Sequence, residues 1–214
     1  RGAPRSRRIA NILSEVMSLI ENGYREIVLT GINTALFGRE EGFDIEEEIH
    51  EIYKRTSILK AYRKAFNEKK GLIHKKGEDA FHNKEACEEE LEVALIEYFD
   101  ELKNLKGIEI IIKLINDLPG QFRIRLGSLE PTVVSADDVK RLFKYDKLCH
   151  HLHLSLQSGS DTVLRRMNRS YTADEYLKIA NALRDIDPDF GITGAIICGY
   201  PGESDKEHIE SLRT

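Results

Sequence analysis

Cysteine is scarce in this chain. Three residues in 214, Cys87, Cys149 and Cys198, lie far apart. An odd, scattered set excludes a disulfide framework and points to a reducing, cytoplasmic compartment. No apolar run approaches the length of a bilayer span, and no signal-peptide pattern opens the chain, so no membrane partner is expected. Positive charge is not in excess either: the net charge is −5, with 32% of residues charged. Charge alone therefore does not mark a nucleic-acid binder. There is no G-x-G-x-x-G after any strand and no P-loop pattern, which removes the commonest nucleotide fingerprints. The chain opens on Arg1 and stops at Thr214 inside a helical pattern, so both ends are expected to be cut from something longer. Its length suits one large domain or two small ones.

What is present is an alternation of helix and strand. Ile9, Ile12, Leu13, Val16, Leu19 and Ile20 recur three and four apart behind Ser6, which can cap them, and Gly23 closes the helix. Residues 26–30 read as a buried strand. Residues 108–118 form an apolar helix ended by Pro119-Gly120, and 122–128 read as the next strand. Ser135 caps a helix to about Lys147, and a helix over 160–167 follows the third strand. Thr172 with Glu175, and Ser204 with Glu207, form capping boxes for two more helices. Residues 191–198 read as the fourth strand. This order calls for parallel strands with right-handed crossovers, as in a doubly wound sheet or a barrel. Polar residues recur on all four strands where a barrel mouth would lie, which favours the barrel.

The character changes over residues 39–106. Ile45, Ile49, Ile52, Leu59, Tyr62 and Phe66 suggest one long charged helix, and Leu91, Leu95, Tyr98, Leu102 and Leu105 a second. Lys69-Lys70-Gly71 and Lys75-Lys76-Gly77 mark the loop between them. Acidic residues outnumber basic ones here. The pattern is an antiparallel helical hairpin inserted into the α/β domain and peripheral to it. The expected division is thus 1–38 with 107–214, interrupted by 39–106.

The chain is organised around His151-Leu-His-Leu-Ser-Leu-Gln-Ser-Gly-Ser160. Leucines alternate with polar residues that carry no Lys, Asp or Glu, so the polar face suits a closed interior. His150, His151 and His153 are not read as a metal site, because adjacent strand residues point to opposite faces and no carboxylate or cysteine completes a set.

Several segments in order carry a more specific signal: Arg1-Gly2 with Arg5-Ser6-Arg7, Glu26-Ile-Val-Leu-Thr-Gly-Ile-Asn33, Arg125-Leu-Gly-Ser-Leu-Glu-Pro131, His153-Leu-Ser-Leu-Gln-Ser-Gly-Ser160, Met167-Asn-Arg-Ser-Tyr171 and Gly199-Tyr-Pro-Gly-Glu203. Together, over residues 1–38 and 107–214, they resemble the radical S-adenosylmethionine methylthiotransferases. The Leu-Thr-Gly-Ile-Asn and Gly-Ser-Leu-Glu-Pro versions look most like the branch acting on N6-threonylcarbamoyladenosine at tRNA position 37. The resemblance implies a partial (β/α)6 TIM-like barrel and two cofactors, S-adenosylmethionine and [4Fe-4S] clusters. It implies a C-x3-C-x2-C cluster loop upstream of Arg1, so this stretch by itself is expected to be inactive. A second cluster domain and an RNA-binding β domain would lie outside it. Its partners would be a tRNA substrate and a reducing protein. The family's chemistry is reductive cleavage of S-adenosylmethionine, hydrogen abstraction from an adenine ring, sulfur insertion and methylation.

The resemblance also implies roles. Thr30, Gly31 and Asn33 would accept from the methionyl ammonium, and Arg169 would pair with its carboxylate. Ser128 and Glu130 would serve the ribose, with Gln157 and Ser158 in the same space. Ile197, Gly199 and Tyr200 would form the adenine ledge. Arg1, Arg5 and Arg7 would meet RNA phosphate. Ordinary readings stand beside these: Thr30 and Asn33 as strand terminators, Arg169 as a helix-end cation, Glu130 paired with Arg123 or Arg125, and Gly199–Gly202 as a tight turn. Gly194-Ala195 departs from the family's usual Thr-Asp: an acid is lost from a strand facing the site, which puts a polar contact there in doubt. Rival readings are a methylthiotransferase of another branch, acting on isopentenyladenosine or a ribosomal protein, a non-radical (β/α) barrel enzyme, and a non-catalytic interaction module.

Overall fold

A computed structural model describes residues 5–31, 34–70 and 84–214. Asn33, Arg1 and most of the expected hairpin loop lie outside the described residues. The chain forms two compact units. One comprises residues 1–27 and 37–122, the other residues 28–36 and 123–214. These boundaries differ from those expected from the sequence: residues 1–27 and 107–122 cluster with 39–106.

The first unit is helical. It holds α1 (Ile9–Glu21), α2 (Ile45–Tyr53), α3 (Thr56–Lys70), α4 (Lys84–Glu101) and α5 (Ile108–Asn116). On α1 the stripe Ile9, Leu13 and Val16 is buried, as its spacing requires. The single long helix expected over 45–66 is instead two. Ile52 and Ile58 are both fully buried, but six residues do not return to one helical face, and an unbroken helix would carry Arg55 toward the core. A break after Tyr53 lets α3 bury Ile58, Tyr62 and Ala65. Tyr62 has no exposure, and its hydroxyl donates to the Leu114 carbonyl at 2.8 Å, so the polar tip is satisfied inside the core. The rings of Tyr53, Tyr62, Phe66, Tyr98 and Phe99 pack mostly edge to face around it.

Ser6 does not cap α1. The helix begins after Arg8, and no side chain of its own first turn caps it. Glu48 of α2 takes that role: its carboxylate accepts from Ile9 N at 2.6 Å and pairs with Arg8 at 2.8 Å, while only 5% exposed. Ser6 Oγ instead donates to Glu40 and accepts from Gly38 N, both at 2.8 Å, fixing the 38–40 turn.

The second unit alternates. After β1 (Glu26–Leu29), whose last two residues belong here, come β2 (Arg123–Leu126), α6 (Ala136–Leu142), β3 (His151–His153), α7 (Asp161–Arg166), α8 (Ala173–Ile186), β4 (Gly191–Thr193) and α9 (Asp205–Arg213). Capping boxes form at Ser135, Thr172 and Ser204. β1 neighbours β2, and β3 pairs in parallel with β4, His151 opposite Gly191. Parallel bridges Ile124–Leu148 and Leu129–Leu154 join the two pairs laterally. The strands are shorter than expected. β4 stops at Thr193, beyond which a lone bridge, Gln157–Ile196, continues the pairing. Gln157 has φ 65°, and this left-handed residue turns the chain out of the β3 ladder.

Candidate functional site

Ligands gather where parallel strands end, because the loops there leave the sheet on one side. In the second unit those ends are tied edge to edge. Gly127 N donates to Leu29 O (2.8 Å), Leu129 N to His153 O (3.0 Å), Leu154 N to Thr193 O (2.7 Å) and Gln157 N to Ala195 O (2.8 Å). Ile197 N returns a bond to Gln157 O at 2.8 Å. A side chain at Gly127 would stand 3.2 Å from Leu29 O and 3.6 Å from Thr30 Oγ1, so the glycine lets two strand ends close up.

Thr30, Gly31 and Ser128 are exposed on this row. Glu130 and Arg169 meet: Arg169 Nη1 donates to Glu130 Oε1 at 2.8 Å. Glu130's partner is therefore Arg169 and neither Arg123 nor Arg125. Arg169 Nε is buried and makes no hydrogen bond among the described residues. Ile197 is 42% exposed, an apolar residue facing outward beside Gln157. Gly199, at φ 71°, donates from its N–H to Glu203 Oε2 at 2.6 Å, while Glu203 Oε1 is buried without a hydrogen-bond partner among the described residues.

Two residues take other roles. Ser158 is fully buried; its hydroxyl lies 3.1 Å from Ser211 Oγ and accepts from Ser160 N, which commits it to seating α9. The Tyr200 hydroxyl is engaged by the Arg166 carbonyl at 2.8 Å, leaving only the backbone of that residue for a ligand. In the first unit Arg7 is ion-paired with Glu15, and Arg5 is exposed. Gly194 is required by packing: a side chain there would lie 2.8 Å from Leu154 O, a backbone atom that cannot swing aside.

Arg166 was not singled out from the sequence. It donates to Gly202 O (2.8 Å) and to Glu207 (3.0 Å), and so clamps the 199–204 turn to α7. Hydrogen bonds from the Ser204 N–H and hydroxyl, with help from Arg166 and against partial burial, hold the Glu207 carboxyl below its ordinary range. A basic residue in the last turn of α7 was its only sequence signal. Tyr171, beside Arg169 in sequence, donates to Leu156 O at 2.9 Å, and burial pushes its phenol up.

The sequence profile of the radical SAM superfamily matches residues 1–214, and the chain belongs to that superfamily. Within it, the relatives are methylthiotransferases. Threonylcarbamoyladenosine tRNA methylthiotransferase MtaB of Thermotoga maritima is 28% identical over 208 residues, 97% of this chain and 33% of its own length. The tRNA-2-methylthio-N(6)-dimethylallyladenosine synthases of Thermoanaerobacter sp. and Symbiobacterium thermophilum are 29% and 32% identical, each over 99% of this chain and 32% and 33% of their own lengths. The chain thus spans about a third of the curated relatives it matches.

Membership implies S-adenosylmethionine and a [4Fe-4S] cluster as cofactors. The first fits the second unit. Its carboxylate would need a cation, and Arg169, held by Glu130 at the strand ends, would supply one; its polar groups would need acceptors, for which Glu130 and Glu203 are placed. The cluster does not fit the described residues. It needs several thiolates together, and among the described residues no three His, Cys, Asp or Glu side chains gather. Cys149 and Cys198 are single free thiols.

Proposed function

We propose that the chain is the central radical SAM domain, a partial (β/α)6 barrel with residues 39–106 inserted, of a transferase that adds a methylthio group to N6-threonylcarbamoyladenosine in tRNA. The observation that carries this reading is the Glu130–Arg169 pair at the strand ends, with a buried Arg169 N–H that has no partner among the described residues. Arg169 holds the methionyl carboxylate, Thr30 and the Gly31 carbonyl take the ammonium, and Glu130 and Ser128 face the ribose. The backbone of Ile197 to Tyr200 lies along the adenine, with the Ile197 side chain as an apolar ledge. Bound S-adenosylmethionine supplies the radical chemistry and the methyl group. This chain's residues orient it and keep water from it.

Relatives named for dimethylallyladenosine support a second branch. Mass spectrometry of tRNA nucleosides from cells with and without the intact protein tests both. A methylthio group on threonylcarbamoyladenosine is expected. The same group on isopentenyladenosine alone would move the protein to the other branch, and unmodified tRNA would refute both.

A further inference from the structure

The first unit contains a cavity of about 360 Å³ lined by Gly38, Arg39, Phe43, Ile45, Leu105, Lys106, Gly107 and Ile110. Its size falls within the range of small-ligand sites. Its chemistry is divided. Phe43, Ile45 and Leu105 are half-buried apolar walls, while Arg39 and Lys106 are exposed cations. Neither cation forms a hydrogen bond or ion pair among the described residues.

That is unusual for this stretch, because acids surround it. Four of these acids are already engaged elsewhere, and Glu41 forms no ion pair with either cation among the described residues. Glu40 accepts from Ser6 N and Ser6 Oγ at 2.6 and 2.8 Å. Asp44 caps α2 through Glu46 N and Glu47 N. Glu46 is reached by Lys103 at 3.3 Å, and Glu109 is buried with a partner of its own. Two positive charges on the rim of an apolar cavity thus have no ion-pair partner among the described residues. The loop that carries them is held in place: Ser6 and Glu40 pin it, and Gly38 lies flat on the Phe43 ring, where a methyl group would come within 3.1 Å.

We propose that this cavity binds one nucleoside phosphate, the base against Phe43 and the apolar wall, the phosphate between Arg39 and Lys106. A dianion answers two cations, and an aromatic wall answers a planar base. A free nucleotide and an exposed nucleotide of an RNA share this chemistry.

Calorimetric titration of the intact protein, with S-adenosylmethionine saturating to block the strand-end site, tests it. The probes are AMP, adenosine, inorganic phosphate and a single-stranded oligoribonucleotide. AMP should bind at least tenfold more tightly than adenosine or phosphate, and Arg39→Gln and Lys106→Gln should each weaken it about tenfold. Both side chains are exposed, so the fold should survive, which circular dichroism checks. An oligonucleotide that binds more tightly than AMP, with the same dependence on Arg39, identifies RNA as the source; equal affinity identifies the free nucleotide. No AMP binding, or binding indifferent to both substitutions, overturns the proposal.

Discussion

Arg169 and Glu130, 39 residues apart in the chain, meet at 2.8 Å. Their side chains are 32% and 46% exposed, so water screens the pair and its share of stability is about 0–1 kcal/mol. Its value lies in position. Arg169→Ala should lower the affinity for S-adenosylmethionine by roughly 1.5–3 kcal/mol, the range for hydrogen bonds to charged groups. The melting temperature should hardly move. Titration and thermal unfolding of the intact protein read the two effects separately. Lost stability with unchanged affinity would make the pair purely structural.

Gly159 admits no side chain. A methyl group there would lie 2.5 Å from Thr214 Oγ1, 2.6 Å from Ser211 Cα and 2.8 Å from Glu210 O. Two of those atoms are backbone or rigidly tied to it, so α9 would have to move away. Gly159→Ala should cost about 1–3 kcal/mol, as overpacking does. Denaturant unfolding measures it. An unchanged midpoint would mean that α9 is seated less firmly than the Ser158–Ser211 and Gly159–Ser211 contacts imply.

Glu48 caps a helix it does not belong to. Glu48→Ala removes the acceptor for Ile9 N and a partner of Arg8. The loss should be about 0.5–2 kcal/mol, as for an N-cap. Amide exchange at the start of α1 should rise first. Protection that is lost evenly across the unit would instead indicate a global defect.

Acid should weaken the second unit. His150 and the Asp189 N–H hold the Asp187 carboxyl below its ordinary range, as Ser204 and Arg166 do for Glu207. A carboxyl with a depressed folded value binds its proton more readily when unfolded. Its contribution is therefore fully present above the ordinary carboxylate range and lost as pH falls through the lowered value. Melting curves from neutral pH to about 3 should be flat and then decline. Glu207→Gln should flatten part of that decline. A variant that follows the wild-type curve would remove Glu207 from the account.

Local patterns were legible in the sequence, and distant partners were not. The capping boxes at Thr172 and Ser204 form as written, because cap and partner lie within one turn. Ser6 looked like a cap by residue type, yet Glu48 reaches Ile9 first, and nothing near residue 6 announces that. Ser158 stood in a promising motif, but α9 arrives from 53 residues away and takes its hydroxyl. The fourth strand ends earlier than the sequence suggests, because apolar residues continue past Thr193. Ile196 and Ile197 are in fact 42% exposed, and their run reflects an outward ledge more than a buried ladder.

The strand ends of the second unit are aligned by amide and carbonyl groups: Leu29 to Gly127, His153 to Leu129, Thr193 to Leu154, Ala195 to Gln157. Every residue but proline carries both groups. Inheritance can therefore rewrite the side chains along this row without displacing it. A chain 28–32% identical to the three relatives described above has drifted that far. Under the proposed function, mutation there would change what the row recognises and leave intact where recognition happens, so new preferences would arise one residue at a time on a frame that stays put.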